Sequence, residues 1–122
     1  MSPKQLQSQL QPWRAAFMPD ILLRIVEGAY VALYRHDASL APEVLPTRGH
    51  LYVYSGGFEW GRGDAAALNL SHAIVGKIFE FDGYSKPELK HLARRLHSEL
   101  ISKLDREAEY DIRVDKLKRL LG

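Results

Sequence analysis

The chain has no cysteine, no long apolar run and no large excess of charge, and each absence excludes a class of protein. Without cysteine there can be no disulfide bonds, no thiolate nucleophile and no cysteine-ligated zinc. No apolar run approaches the about 18 residues that are needed to span a bilayer. The Gln-rich N-terminus also lacks the charged-then-apolar order of a signal peptide. We therefore expect a cytoplasmic protein with no membrane association.

The composition and charge are those of an ordinary folded domain. With 122 residues, 46% of them hydrophobic and 26% charged, the chain predicts a single domain over residues 1–122. The formal net charge is +2; residues 1–85 hold 7 Lys and Arg against 8 Asp and Glu, and residues 86–122 hold 10 against 7. This small surplus in the C-terminal third argues against a DNA mimic and against a strong nucleic-acid binder.

The N-terminal region predicts two helices. The first is amphipathic and is interrupted at Pro12; its apolar stripe consists of Leu6, Leu10, Trp13 and Phe17. The second is short, running from Ile21 to Val26 and ending at Gly28.

A small sheet is expected next. The segments Ala29–Arg35 and Leu51–Tyr54 are rich in β-branched and aromatic residues, and the second alternates in the period of a strand. We expect the two segments to pair antiparallel across the irregular loop formed by residues 36–50.

Helices account for most of the remaining chain. Asp64 is the expected N-cap of a helix that reaches Phe79, and Ser85 is the expected N-cap of the next, which carries a leucine stripe. A last short helix is predicted over residues 111–121. The order of elements predicts an α+β fold, a small antiparallel sheet with helices packed on one face. The predicted core comprises Leu51, Val53, Leu68, Ile74, Val75, Phe79, Leu92, Leu96 and Leu100.

The segment from Ser55 to Phe79 is the most distinctive in the chain. It reads S-G-G-F-E-W-G-R-G-D and then continues as a nearly all-apolar helix. A glycine-rich turn before a helix can hold a phosphate, but both common phosphate-binding motifs are missing, and Asp64 would place a carboxylate at the anion position. We therefore favour a structural turn.

This turn is also the first candidate for a partner-binding surface. Aromatic and Arg side chains dominate the binding energy of many interfaces. The candidate contacts are Tyr54, Phe58, Glu59, Trp60 and Arg62. One of the two aromatic residues Phe58 and Trp60 can anchor the turn while the other stands at the surface. The alternative is that Trp60 is simply a core residue.

Basic side chains of the C-terminal third are the second candidate. Lys90, Arg94, Arg95 and Lys103 could contact nucleic acid or an acidic partner, and the plainer alternative is a solvated helix face.

A narrow polar stripe follows the central helix at spacings of three and four residues. It consists of Asn69, His72, Gly76 and Glu80, and it either faces solvent or lines a site.

Catalytic and metal-binding patterns are weak. The five histidines include no H-x-x-x-H pair, so we expect no metal site and no cofactor. An enzyme built around Glu59, Asp64 and His72 remains an alternative, but nothing in the spacing requires one. We therefore expect a protein that is not an enzyme.

The motif Gly57-Phe58-Glu59-Trp60-Gly61 with the Ala- and Leu-rich helix behind it resembles an uncharacterised family of small bacterial and phage proteins. That family carries G-F-E-W-G-Y-G-G-S-G-P followed by a similar helix. The resemblance is good over residues 54–79 and looser over residues 86–120. This chain has Arg62 at the position where the family's motif has Tyr, and residues 63–66 replace the Gly-Ser-Gly-Pro run. The resemblance implies an origin in a phage or other mobile element, and it implies no particular activity.

These observations favour one function over two others. The first is a non-enzymatic phage or mobile-element protein that inhibits a host protein or nucleoprotein complex, such as a CRISPR effector (an anti-CRISPR) or another defence system. The second is a nucleic-acid-binding accessory or regulatory protein that uses the basic C-terminal third, although we expect direct nucleic-acid binding to be weak or absent. The third is the small enzyme.

Overall fold

The computed structural model describes residues 18–122, and the predicted N-terminal helix lies outside that range. The strands are β1 (Asp20–Val26), β2 (Ala29–Arg35), β3 (Glu43–Val44) and β4 (Tyr110–Arg113). The helices are α1 (Ala65–Ile78), α2 (Lys86–Glu99) and α3 (Val114–Leu121), with a 3₁₀ helix at Ile101–Lys103. The strands form one antiparallel sheet in the order β3-β2-β1-β4. The α+β prediction is confirmed.

The segment from Ile21 to Val26, which we predicted as a helix, is strand β1. It pairs with β2 along its whole length, from Asp20 opposite Arg35 to Val26 opposite Ala29. The connection is the dipeptide Glu27-Gly28, with φ values of 51° and 82°. Two positive φ values in a two-residue loop match the right-handed twist of a hairpin. The helix prediction was wrong because a short apolar run has no period that separates helix from strand.

The segment Leu51–Tyr54, which we predicted as the partner of β2, is not a strand. The second neighbour of β2, opposite β1, is β3, which places Val44 opposite Leu33 and Glu43 opposite Tyr34. Leu51 is buried, as predicted. Val53 is 90% exposed, so the assignment of Val53 to the core was wrong. Instead, Tyr52 of this segment stacks on His72 of helix α1, with ring centroids 4.8 Å apart.

Both predicted helix caps are confirmed. The Asp64 carboxylate accepts a hydrogen bond from the Ala67 amide at 3.1 Å, which satisfies one free N–H group at the start of α1. Ser85 caps α2, and Glu88 completes the capping box by accepting from the Ser85 amide at 3.1 Å. Helix α2 ends at Glu99, and the 3₁₀ helix follows it.

The last predicted helix begins later than we expected, because Asp111–Arg113 belongs to β4. This strand pairs with β1, with Ile112 opposite Ile21. The Arg24 guanidinium forms an ion pair with Asp111 at 2.6 Å and holds the strand in register. The pairing joins residues that are far apart in sequence, so local patterns gave no sign of it.

The core lies between the sheet and the helices. Helix α1 is buried over eleven of its fourteen residues, as expected for a central helix that is apolar on most sides. The predicted core residues Ile74, Val75, Phe79, Leu92 and Leu96 are buried, and Leu68 and Leu100 are half-buried. The sheet contributes Ile21, Leu23 and Ala32 to the same cluster.

Candidate functional site

Trp60 is fully buried and anchors the glycine-rich turn to the core. Its Nε1–H donates to the Ala108 carbonyl at 3.0 Å, and its ring meets Tyr30 edge-on with centroids 4.6 Å apart. Phe58 is half-buried and packs against the core cluster. Trp60 therefore presents no surface to a partner, which corrects its assignment as a contact residue and agrees with the alternative that it is core.

The same turn is clamped by polar contacts. The Glu59 side chain is only 17% exposed and forms ion pairs with Arg106 at 3.2 Å and Arg62 at 3.5 Å. The Gly61 amide donates to the Ile101 carbonyl at 2.9 Å, and Gly61 has a φ of 80°. Because these contacts fix the backbone, Arg62, with half of its side chain exposed, projects from a rigid support.

The polar stripe of α1 is covered by the loop formed by residues 48–57. The Asn69 side chain donates to the Gly57 carbonyl at 2.9 Å, and the Tyr52 ring stacks on the His72 ring with centroids 4.8 Å apart. Further along the helix, Arg48 packs over Gly76 and forms an ion pair with Glu80 at 3.2 Å. Asn69, His72 and Gly76 are buried, so these polar positions hold a loop in place rather than facing solvent.

His72 is held in one orientation. Its Nδ1 lies 2.7 Å from the Leu68 carbonyl oxygen, so the neutral ring donates from Nδ1. Burial lowers the pKa of His72 below its ordinary value; the Leu68 hydrogen bond opposes this, and the nearby positive charges, first Arg94 and then Lys90 and His97, add to it. We conclude that His72 is an uncharged ring beneath a tyrosine at neutral pH.

The three residues of the enzyme hypothesis have structural partners. Glu59 is engaged by two arginines, Asp64 caps α1, and His72 is oriented by a backbone carbonyl rather than by a carboxylate. These contacts of Glu59, Asp64 and His72 are structural, so the geometry adds no support for this hypothesis.

The basic side chains of α2 divide into two groups. Lys90, Arg94 and His97 recur at intervals of four and three residues, on the side of the helix that faces His72. Within residues 18–122, neither Lys90 nor Arg94 forms an ion pair. Lys90 and Arg94 are therefore available to an acidic partner.

Arg95 and Lys103 lie outside the row that Lys90, Arg94 and His97 form along α2. Arg95 donates to the Leu121 carbonyl at 2.9 Å and pairs with Glu99 at 3.4 Å, so it ties α2 to the end of α3. Lys103 is exposed on the 3₁₀ helix.

The two candidate surfaces meet at Gly63, where the His97 ring lies 3.7 Å from the position a Cβ would occupy. The loop above His72 adds Val53, 90% exposed, and Tyr54, 38% exposed. We name this surface the docking face and define it by Val53, Tyr54, Arg62, Lys90 and Arg94. The sequence analysis predicted Tyr54, Arg62, Lys90 and Arg94 as contact residues, but it did not indicate that they share one surface. It assigned Val53 to the core.

The described residues thus form an α+β domain in which a rigid glycine-rich turn, a covering loop and a basic helix row lie together. Comparisons with protein-family models, curated proteins and solved structures find no match to this chain. Residues 18–122 contain no group of three or more His, Asp or Glu side chains arranged to bind a metal ion. None of the helices in this range has the length and apolar character needed to cross a membrane.

Proposed function

We propose that this protein is a non-enzymatic, cytoplasmic binding protein that uses the docking face to bind and inhibit an acidic host protein or nucleoprotein complex. The observation that carries the proposal is that Lys90 and Arg94, which form no ion pair within residues 18–122, are combined with the exposed side chains of Val53 and Tyr54. Such a surface offers charge for attraction and apolar area for contact.

The charges of this face favour association. Opposite charges on two partners steer their encounter, and removing rim charges changes mainly the association rate and its salt dependence. Arg and Tyr side chains are also enriched among the residues that carry most of the binding energy once they are desolvated. The docking face contains two such Arg residues, Arg62 and Arg94, and one such Tyr residue, Tyr54.

The rigidity of the face supports the same function. Tyr52 is fixed on His72 and the turn is fixed on residues 101–108, so Tyr54 and Arg62 project from supports that are already ordered. A preorganised surface loses less conformational entropy on binding.

The resemblance to small bacterial and phage proteins implies an origin in a phage or other mobile element, and this is the setting in which we propose inhibition of a host complex. A CRISPR effector or another defence complex exposes carboxylates and phosphates, which are the groups that a row of unpaired Lys and Arg would contact.

The row also favours a second candidate, a nucleic-acid-binding accessory protein. Seven residues of helix separate Lys90 from His97, which is about 10 Å along the axis. Proteins that bind single strands combine such a positive track with aromatic side chains for base stacking, and Tyr54, 38% exposed, is the aromatic residue of the docking face.

The primary test is a capture experiment from host extract, followed by titration of the purified partner. We expect Lys90→Glu combined with Arg94→Glu to weaken binding at least about tenfold, which corresponds to about 1.4 kcal/mol. A matched control is Lys116→Glu, because Lys116 is exposed on α3. Equal affinities for the double variant and the wild type would exclude the docking face as the binding site.

A mobility-shift titration with single-stranded and duplex oligonucleotides separates the two candidates. Under the first proposal, complexes with nucleic acid alone are weak, insensitive to sequence and lost as salt is raised. A salt-resistant, sequence-selective complex would instead establish the second candidate.

A further inference from the structure

Phe81 is an exposed aromatic residue on a turn that is otherwise well fixed. Its side chain is 92% exposed, whereas the neighbouring Phe79 is buried and meets Tyr84 edge-on at 5.3 Å. The Asp82 amide donates to the Phe79 carbonyl at 3.1 Å, and the Asp82 carboxylate pairs with Lys118 at 3.2 Å. The turn is therefore held from both sides while Phe81 points into solvent. Nothing within residues 18–122 accounts for this exposure.

A cleft of about 350 Å³ lies directly beside Phe81. Buried Ile78 and Val114 give it apolar lining, and Tyr34 and Phe81 also line it. A cavity of about 150 Å³ accommodates benzene. The cleft thus has room for one aromatic side chain, and Phe81 lies at its edge.

The charged residues around this cleft carry both signs and largely compensate one another. Lys77 lies 3.4 Å from Glu80, 3.7 Å from Glu43 and 4.6 Å from the centre of the Tyr34 ring. Lys118 is paired with Asp82. This differs from the docking face, whose Lys90 and Arg94 have no ion-pair partner in the described part of the chain. A rim that carries both signs of charge does not favour a strongly charged partner. It is compatible with the rim of a second copy of this chain that is related to the first by a two-fold rotation.

We propose that two copies of this chain associate about a two-fold axis, with Phe81 of each copy inserted into the cleft of the other. A two-fold interface uses the same patch on both partners, so the inserted group and its receptor must lie on one surface. Phe81 and its cleft meet this requirement.

The dimer is expected to be weak and to depend on concentration. Stable interfaces bury about 800 Å² on each partner, and smaller ones belong to transient complexes. One aromatic anchor with a charged rim corresponds to the smaller class. Association should therefore grow as the protein is concentrated and should reverse on dilution.

Sedimentation velocity of the full chain, from low micromolar to near-millimolar concentration, tests the proposal. We expect the wild type to shift from monomer to dimer and Phe81→Ala to remain monomeric at concentrations where the wild type is mostly dimeric. The matched control is Val53→Ala, because Val53 is 90% exposed and apolar but lies outside the cleft. Thermal unfolding of each variant verifies that the fold is retained.

Two outcomes would overturn the dimer proposal: a wild type that stays monomeric at every concentration, and equal loss of association in the Phe81 and Val53 variants. The variant with Lys90→Glu and Arg94→Glu should dimerise like the wild type, because neither residue borders the cleft. Failure of the dimer proposal can therefore be distinguished from failure of the proposed function.

Discussion

The Trp60 indole N–H donates to the Ala108 carbonyl at 3.0 Å and connects two segments that are 48 residues apart. Two other hydrogen bonds reach the same stretch: the Gly61 amide donates to the Ile101 carbonyl, and the Tyr30 hydroxyl donates to the Arg106 carbonyl at 2.8 Å. Residues 101–108 lead directly into β4. The glycine-rich turn therefore supports the segment that brings the edge strand back to the sheet.

The first prediction concerns Trp60 itself. Trp60→Ala should lower the free energy of unfolding by about 3 to 5 kcal/mol, because it removes a fully buried indole. Trp60→Phe keeps most of the apolar contact but removes the donor to Ala108, so a loss of about 1 to 3 kcal/mol is expected. Urea denaturation measures both values.

Arg62→Ala is the matched control for the turn, because about half of the Arg62 side chain is exposed. Its effect on stability should stay within about 0.5 kcal/mol. If Trp60→Ala were as stable as Arg62→Ala, the indole would not be the anchor of the turn.

The second prediction compares two glycines of that turn with nearly equal backbone angles, Gly57 at a φ of 85° and Gly61 at 80°. Gly57→Ala should cost about 1 to 2 kcal/mol, from the left-handed conformation alone, because no atom lies within 4 Å of the added Cβ. Gly61→Ala should cost clearly more, since the new Cβ would lie 2.7 Å from the Leu104 carbonyl oxygen. Equal midpoints of denaturation for the two variants would show that the turn can move away from residues 104–106.

The accuracy of the sequence predictions follows the range of the interactions. Asp64 and Ser85 were assigned correctly because a cap bonds to an amide three residues away, so all of its determinants are local. Strand β1 was missed because a short apolar run has no period that separates helix from strand. Strand β4 was missed because its pairing with β1 joins residues more than 80 positions apart. The role of Trp60 stayed open for the same reason, since its acceptor lies at Ala108.

The candidate site shows the same limit. Its basic residues and turn residues could be named from composition, but their meeting point at His97 and Gly63 is a tertiary contact. The polar stripe was correctly located on one side of α1, and only the structure shows that a loop covers it.

The third prediction compares Ile74, whose place in the core is confirmed, with Val53, which was assigned to the core and is exposed. Ile74 is fully buried in α1, so Ile74→Ala should cost about 2 to 5 kcal/mol. Val53→Ala should change stability by less than about 0.5 kcal/mol, because that side chain is 90% exposed. Chemical denaturation of the two variants gives the comparison. Similar losses in both would mean that the loop carrying Val53 packs into the core.

The fourth prediction concerns the dependence of stability on pH. The pKa of His72 in the folded protein is lowered from 6.5, chiefly by burial, so below that pH the unfolded chain takes up a proton that the folded chain resists. The free energy of unfolding should therefore fall as the pH drops below 6.5 and should level off once the pH is below the pKa of the folded state. The surrounding groups reinforce this sign, because the positive charges of Arg94, Lys90 and His97 on α2 also lower the pKa of His72.

Denaturation midpoints measured between about pH 8 and pH 5 test this dependence. His72→Gln should flatten the change, because the amide does not titrate and can still donate to the Leu68 carbonyl. His91→Gln is the control, since His91 is exposed on α2 and should leave the change intact. Hydrogen exchange at residues 52–57 adds a local measurement: their protection factors should fall in the wild type as His72 takes up its proton, because burial disfavours the charged form of the ring that this loop covers. An identical pH profile for wild type and His72→Gln would show that another group controls the acid sensitivity.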